Sequence, residues 1–96
     1  VLIIAGYAEV DPGQRDAYVS AFHDLLRRCR TAPGCLDCAI TADPVDPARV
    51  NVFELWDTAA NMEAWRSVAD APDPGIAIKN NSVLKYTVTD ARPPFD

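Results

Sequence analysis

The sequence predicts an α+β domain of order βαββαβ, a ferredoxin-like arrangement in which a four-stranded antiparallel sheet carries two helices on one face. Three observations predict it. An apolar run over Leu2, Ile3 and Ile4 precedes a helix start at Asp11-Pro12-Gly13-Gln14. Two extended runs, Cys35 to Ala42 and Val50 to Trp56, flank the turn-forming Asp43-Pro44-Val45-Asp46-Pro47. A second helical stretch bearing Met62 and Trp65 then leads into a last alternating strand. Ninety-six residues, 49% of them hydrophobic and 24% charged, suit one domain spanning 1–96 around a single core.

The first strand has consecutive large hydrophobes, so both its faces should be covered. Asp11 as N-cap, Pro12 at the first helical position and Gln14 three residues after the cap open a helix. Tyr18, Phe22, Leu25 and Cys29, with Ala21 and Leu26 beside them, give that helix one apolar face as far as Arg30. Ala32-Pro33-Gly34 stops it. Cys35 to Ala42 and the stretch from Val50 form a hairpin across the Pro-rich turn. Asp57 or Thr58 caps the second helix, with Met62, Trp65 and Ala69 on one side, and Asp70 to Gly75 ends it. Val83 to Thr89 alternates as the final strand, and Arg92-Pro93-Pro94 is a tail.

Two helices cover only one sheet face, and a second copy of the chain is the simplest cover for the other, so a homodimer is expected. Alternation splits the third strand into Asn51, Phe53 and Leu55, expected to pack on the helices, and Val52, Glu54 and Trp56, expected to face the bare side. With Leu2, Ile4, Gly6 and Ala8 of matching parity, the second set would line a cavity closed by the dimer. Tryptophan, aliphatic groups and one carboxylate in such a pocket suit an aromatic ligand, while a dimer core in which Glu54 merely pairs with a cation is equally compatible.

The remaining residues narrow the chemistry. A net charge of −5 and a pI near 4.6 argue against a nucleic-acid partner. No apolar run approaches a membrane span, and Val1 to Ala5 lacks a basic leader, so no membrane association is expected and the cytoplasm is the expected compartment. The four glycines form no phosphate-binding loop. His23 falls on the polar side of its helix. Cys35 and Cys38 have C-x-x-C spacing, but three residues apart on a regular strand they would point to opposite faces, so no metal site is expected and Cys29, Cys35 and Cys38 read as reduced thiols.

Pro33-Gly34-Cys35-Leu36 opening the second strand, Phe53-Glu54-Leu55-Trp56 ending the third and the helix start from Asp57 to Trp65 make the chain similar to the antibiotic biosynthesis monooxygenase family over nearly its whole length. The resemblance implies a dimeric α+β barrel of ferredoxin-like subunits. It also implies oxidation of a phenol, anthrone or quinol to a quinone by dioxygen with no cofactor, on a small aromatic or polyketide-like substrate. On that basis Glu54 is the candidate base and Tyr86 the candidate donor to the substrate oxygen. Ile4, Gly6, Val52, Trp56, Met62 and Trp65 are the candidate substrate-binding residues. Val52 stands where some family enzymes carry Asn, and Gly6 and Gly75 stand at or near the Asn and His positions of haem-degrading members. The alternative is a non-catalytic dimeric binding or stress-associated module holding a small aromatic metabolite.

Overall fold

The computed structural model describes residues 1–95. Strands β1 (Leu2–Glu9), β2 (Cys35–Ala42), β3 (Arg49–Trp56) and β4 (Asn80–Thr87) form one antiparallel sheet in the order β2-β3-β1-β4. Helices α1 (Arg15–Ala21), α2 (His23–Cys29) and α3 (Ala59–Arg66) lie on one face. Cys29 of α2 and Met62 of α3 are buried in a cluster with Ile4, Cys38 and Trp56 from the strands. The fold is ferredoxin-like α+β, with β1 central in the sheet between β3 and β4. Among the described residues no helix is long and apolar enough to cross a membrane.

The first helix differs from the single run its periodicity predicts. Asp11 does cap it, Oδ1 accepting from the Gly13 amide at 2.8 Å, but Pro12–Gln14 is a 3-10 turn. The helix then breaks at Phe22 (φ −94°, ψ 2°), whose amide donates to Val19 O in a tightened turn. Leu26 N still donates to Phe22 O at 3.0 Å, so the apolar face continues across the break. Side-chain spacing is insensitive to one tightened turn, which is why the interruption has no signature in the pattern.

Both proposed caps of α3 are used. Thr58 Oγ1 accepts from the Asn61 amide and the Asp57 carboxylate accepts from Asn61 Nδ2, and the helix ends at Arg66, short of Ala69. Strand β4 begins at Asn80 rather than Val83 and ends at Thr87 rather than Thr89. The polar Asn80-Asn81-Ser82 show no alternation, yet they pair with Glu9, Ala8 and Tyr7. In the β2–β3 turn, Asp43 Oδ2 accepts from the amides of Val45 and Asp46, and Oδ1 accepts from Asn51 Nδ2. These bonds lower the Asp43 pKa from 3.8 to about 2, the Asp46 amide contributing most. Arg15 Nη1 donates to the carbonyls of Asp43 and Asp46, fastening α1 to the turn.

The predicted faces of the sheet are exchanged. Residues directly opposed in an antiparallel ladder share a face, and β1–β3 pairing puts Leu2 with Trp56, Ile4 with Glu54, Gly6 with Val52 and Ala8 with Val50. That set includes fully buried Trp56 and Val50, and it faces the helices. Asn51, Phe53 and Leu55 occupy the outer face with Ile3, Ala5 and Tyr7. Alternation separates the two sets but carries no sign saying which one the helices cover, and both sets here are mainly apolar.

A second correction concerns β2. Cys35 opposes Trp56 and Asp37 opposes Leu55, so Leu36 is an extra residue, a β-bulge. Beyond it Cys38 opposes Glu54. The bulge shifts the alternation by one, and Cys35 and Cys38 therefore face the same side, against the expectation for a regular strand. Gly34, at φ +83°, leads into it. A Cβ there would collide with the side chains of Asp57 and Asn61. Its carbonyl accepts from the Asp57 amide at 3.0 Å, while Cys35 N donates to Ala32 O at 3.1 Å, so the backbone on both sides of the entry to β2 is held.

Candidate active site

Between the helices and the sheet lies a cleft of about 50 Å³, lined from the helical side by Leu25, Leu26, Cys29 and Trp65 and from the sheet by Cys38, Ile40, Val52 and Glu54. Among the described residues, Glu54 brings the only carboxylate to this otherwise apolar lining. Its position follows from β3, which places it between Val52 and Trp56 on the inner face, across from Ile4 and Cys38.

The carboxylate is oriented from below. Trp56 is fully buried, and its Nε1 donates to Glu54 Oε1 at 2.9 Å. A hydrogen bond to a carboxylate is among the stronger ones a protein makes, and it fixes the rotamer. On the helical side Trp65 is half-buried, with the Arg28 guanidinium 5.6 Å from its ring centroid. Arg28 is itself held, Nε donating to Asp24 Oδ2 at 2.9 Å and Nη1 to the Ala69 carbonyl at 2.8 Å. Trp65 is thus a half-buried wall of the cleft, and Trp56 lies buried beneath it.

Of the candidate residues, Glu54, Val52 and Trp65 come together at this cleft. Five others take different places. Trp56 and Met62 are wholly buried core residues beneath it, and Ile4 joins the same cluster. Gly6 provides no room for a ligand, because the backbone of β4 fills the space a side chain would need; a Cβ there would collide with the Ser82 carbonyl oxygen and Val83 Cα. Tyr86 is a correction. It pairs with Ile3 and so lies on the outer face, 48% exposed, with the sheet between it and Glu54. Its assignment as donor depended on the exchanged faces, and it falls with them. His23 is exposed, as its helical phase predicts.

Cys29 and Cys38 were missed as lining residues, although their helical and strand phases place them on the inner faces. Together with Cys35 they form a cluster whose three Sγ atoms lie within 4.8 Å of one another. Cys29 Sγ and Cys35 Sγ are 3.8 Å apart, and all three cysteines are free. Burial pushes the Cys29 and Cys35 thiols above the ordinary range.

The model of the antibiotic biosynthesis monooxygenase family matches residues 1–71, from β1 through α3. No curated protein matches the chain. Among solved structures, a candidate antibiotic biosynthesis monooxygenase of Deinococcus radiodurans superposes with a TM-score of 0.85 over 100% of both chains at 14% identity. One from Chloroflexus aurantiacus gives 0.71 over 96% of each chain at 23% identity. The heme-degrader MhuD of Mycobacterium tuberculosis, whose structure holds two hemes in its active site, gives 0.69 over 97% of this chain and 100% of that one at 15% identity. At these identities the likeness is one of fold.

Proposed function

Because the chain belongs to the antibiotic biosynthesis monooxygenase family, we propose that it is a cofactor-independent monooxygenase that converts a small phenol or quinol to a quinone with dioxygen. The observation that carries this reading is a lone carboxylate, Glu54, oriented by Trp56 at the floor of an apolar cleft. Phenols and quinols become strong electron donors once deprotonated. Glu54 takes the hydroxyl proton, the electron-rich ring reacts with dioxygen, one oxygen atom enters the ring, and the other leaves as water with two substrate hydrogens. The apolar walls exclude bulk water while the ring is activated.

Size narrows the substrate. A cavity of roughly 150 Å³ accommodates benzene, whereas this cleft holds about 50 Å³. A single ring demands less widening of the cleft than a fused polycycle does, so a monocyclic phenol or quinol is the substrate class we propose. Oxygen uptake tests it on a panel of monocyclic quinols and an anthrone. Glu54→Gln should lower turnover by ~10²–10⁴-fold, the usual contribution of a general base; no turnover above the spontaneous rate with any compound sinks the proposal.

The apolar lining with one carboxylate also suits a second reading, a non-catalytic dimeric binding or stress-associated module that holds a small aromatic metabolite. Saturable ring binding without oxygen uptake would identify it. In either case we propose a homodimer joined through the outer sheet face, where Ile3, Tyr7, Phe53 and Leu55 are flanked by Leu84 and Tyr86, 62% and 48% exposed. The three free thiols suit a reducing compartment, and the cytoplasm is the proposed place of action.

A further inference from the structure

The three-cysteine cluster calls for an explanation of its own. A core of this kind is filled equally well by Ala or Val, without the liability of adjacent oxidisable sulfurs. Two local features converge to assemble it. The bulge at Leu36 brings Cys35 and Cys38 to one face, and Gly34 at positive φ, wedged against Asp57 and Asn61, sets where β2 begins. Cys29, in the last turn of α2, supplies the third sulfur from the opposite layer. Each ligand therefore comes from a different local structure: a helix end, a strand entrance and a strand interior.

The sulfur spacing is that of a metal site. Zinc–thiolate bonds of about 2.3 Å place tetrahedral sulfur pairs ~3.8 Å apart. Cys29 Sγ and Cys35 Sγ are 3.8 Å apart, and none of the three sulfurs is more than 4.8 Å from another. Soft thiolates select zinc and cuprous ions over magnesium or calcium. Glu54 lies directly across the ladder from Cys38, adding another negative group to the vicinity. An entry path exists, since Cys29 and Cys38 line the cleft and Cys35 is only half-buried.

We propose that Cys29, Cys35 and Cys38 form a tris-thiolate site for one thiophilic d10 cation, Zn(II) or Cu(I), beside the cleft. It is independent of the oxygenase reading, since neither the proton transfer to Glu54 nor the reaction with dioxygen passes through it. Binding exchanges three thiol protons for the metal and leaves the metal's oxidation state unchanged.

The test uses the reduced full chain under anaerobic conditions. Zn(II) is titrated against a chromophoric chelator, Cu(I) against a Cu(I)-selective one, and Co(II) serves as the spectroscopic stand-in for zinc. We expect one equivalent of Zn(II) or Cu(I) per chain and a sulfur-to-cobalt charge-transfer band in the near ultraviolet. Cys35→Ala, at the least buried of the three sites, should fold normally and weaken binding by ~100-fold or more, exceeding what is lost when only an outer-shell partner is removed. His23→Ala, at the exposed histidine, should leave affinity unchanged. Uptake by the Cu(I) arm alone identifies a trigonal cuprous site, and uptake by the Zn(II) arm with the cobalt band identifies a zinc site. The proposal is overturned if the wild-type chain shows neither stoichiometric uptake nor the cobalt band, or if Cys35→Ala binds within ~3-fold of wild type.

Discussion

Trp56→Phe tests whether the floor of the cleft is a working support for Glu54 or only packing. The substitution removes the pyrrole edge of a wholly buried indole, about 40 Å² of apolar contact worth ~1 kcal/mol. It also removes the 2.9 Å bond to Glu54 Oε1, and a hydrogen bond to a charged group contributes about 1.5–3 kcal/mol. The expected loss is ~3 kcal/mol. With a urea m-value of about 1.2 kcal/mol/M for a chain this size, the unfolding midpoint should fall by roughly 2.5 M. Protein concentration must be equal in both titrations, since association adds to apparent stability. Repeating the substitution in the Glu54→Gln background isolates the bond, because the indole then faces an uncharged amide, and the cost should drop by at least ~1 kcal/mol. A loss below ~1 kcal/mol, or costs that add across the two backgrounds to within ~0.4 kcal/mol, would refute the idea that Trp56 holds the carboxylate.

Three further outcomes are expected. Gly6→Ala forces a methyl group into the Ser82 carbonyl, so β1 and β4 must separate; a fall in Tm of more than ~10 °C, or failure to fold, should follow. Asp43 has its pKa lowered to about 2 in the folded protein, so its stabilising contribution is complete above the unfolded value near 3.8 and disappears as pH falls towards 2. Wild type should therefore lose more stability between pH 4 and pH 2 than Asp43→Asn does, and parallel Tm profiles would count against the turn network. Leu84→Arg places a charge on the exposed outer face and should convert the proposed dimer to monomer in light scattering, whereas an unchanged mass would move the interface elsewhere.

The element order and the sheet class were legible from short-range features: a Pro after Asp11, a Pro-rich turn from Asp43, apolar alternation in the strands. Val52 and Glu54 were legible as neighbours on one face, because strand parity is a periodic property, while Trp65 was placed with them only by the family resemblance. Three things were not. The choice of covered face needs the helices' positions, and Phe53 and Leu55 are as apolar as Val52 and Trp56. Tyr86 inherited that error. Leu36 carries no residue-level mark of a bulge, since the extra residue is defined only by what it fails to pair with on β3.

That bulge has another consequence, at the boundary of the molecule. Strand β2 is an edge of the sheet, with one row of backbone donors and acceptors lacking a neighbouring strand. Such a row invites a strand from another chain, and a bulge is one device that breaks its regular spacing. The opposite edge, β4, is defended differently, by Asn80, Asn81, Ser82 and Lys85. Edges of this kind discourage copies of the chain from growing end to end into a continuous sheet. Deleting Leu36 would therefore do more than turn Cys35 away from its two companions: it would straighten an exposed margin and leave the protein prone to fibrous aggregation.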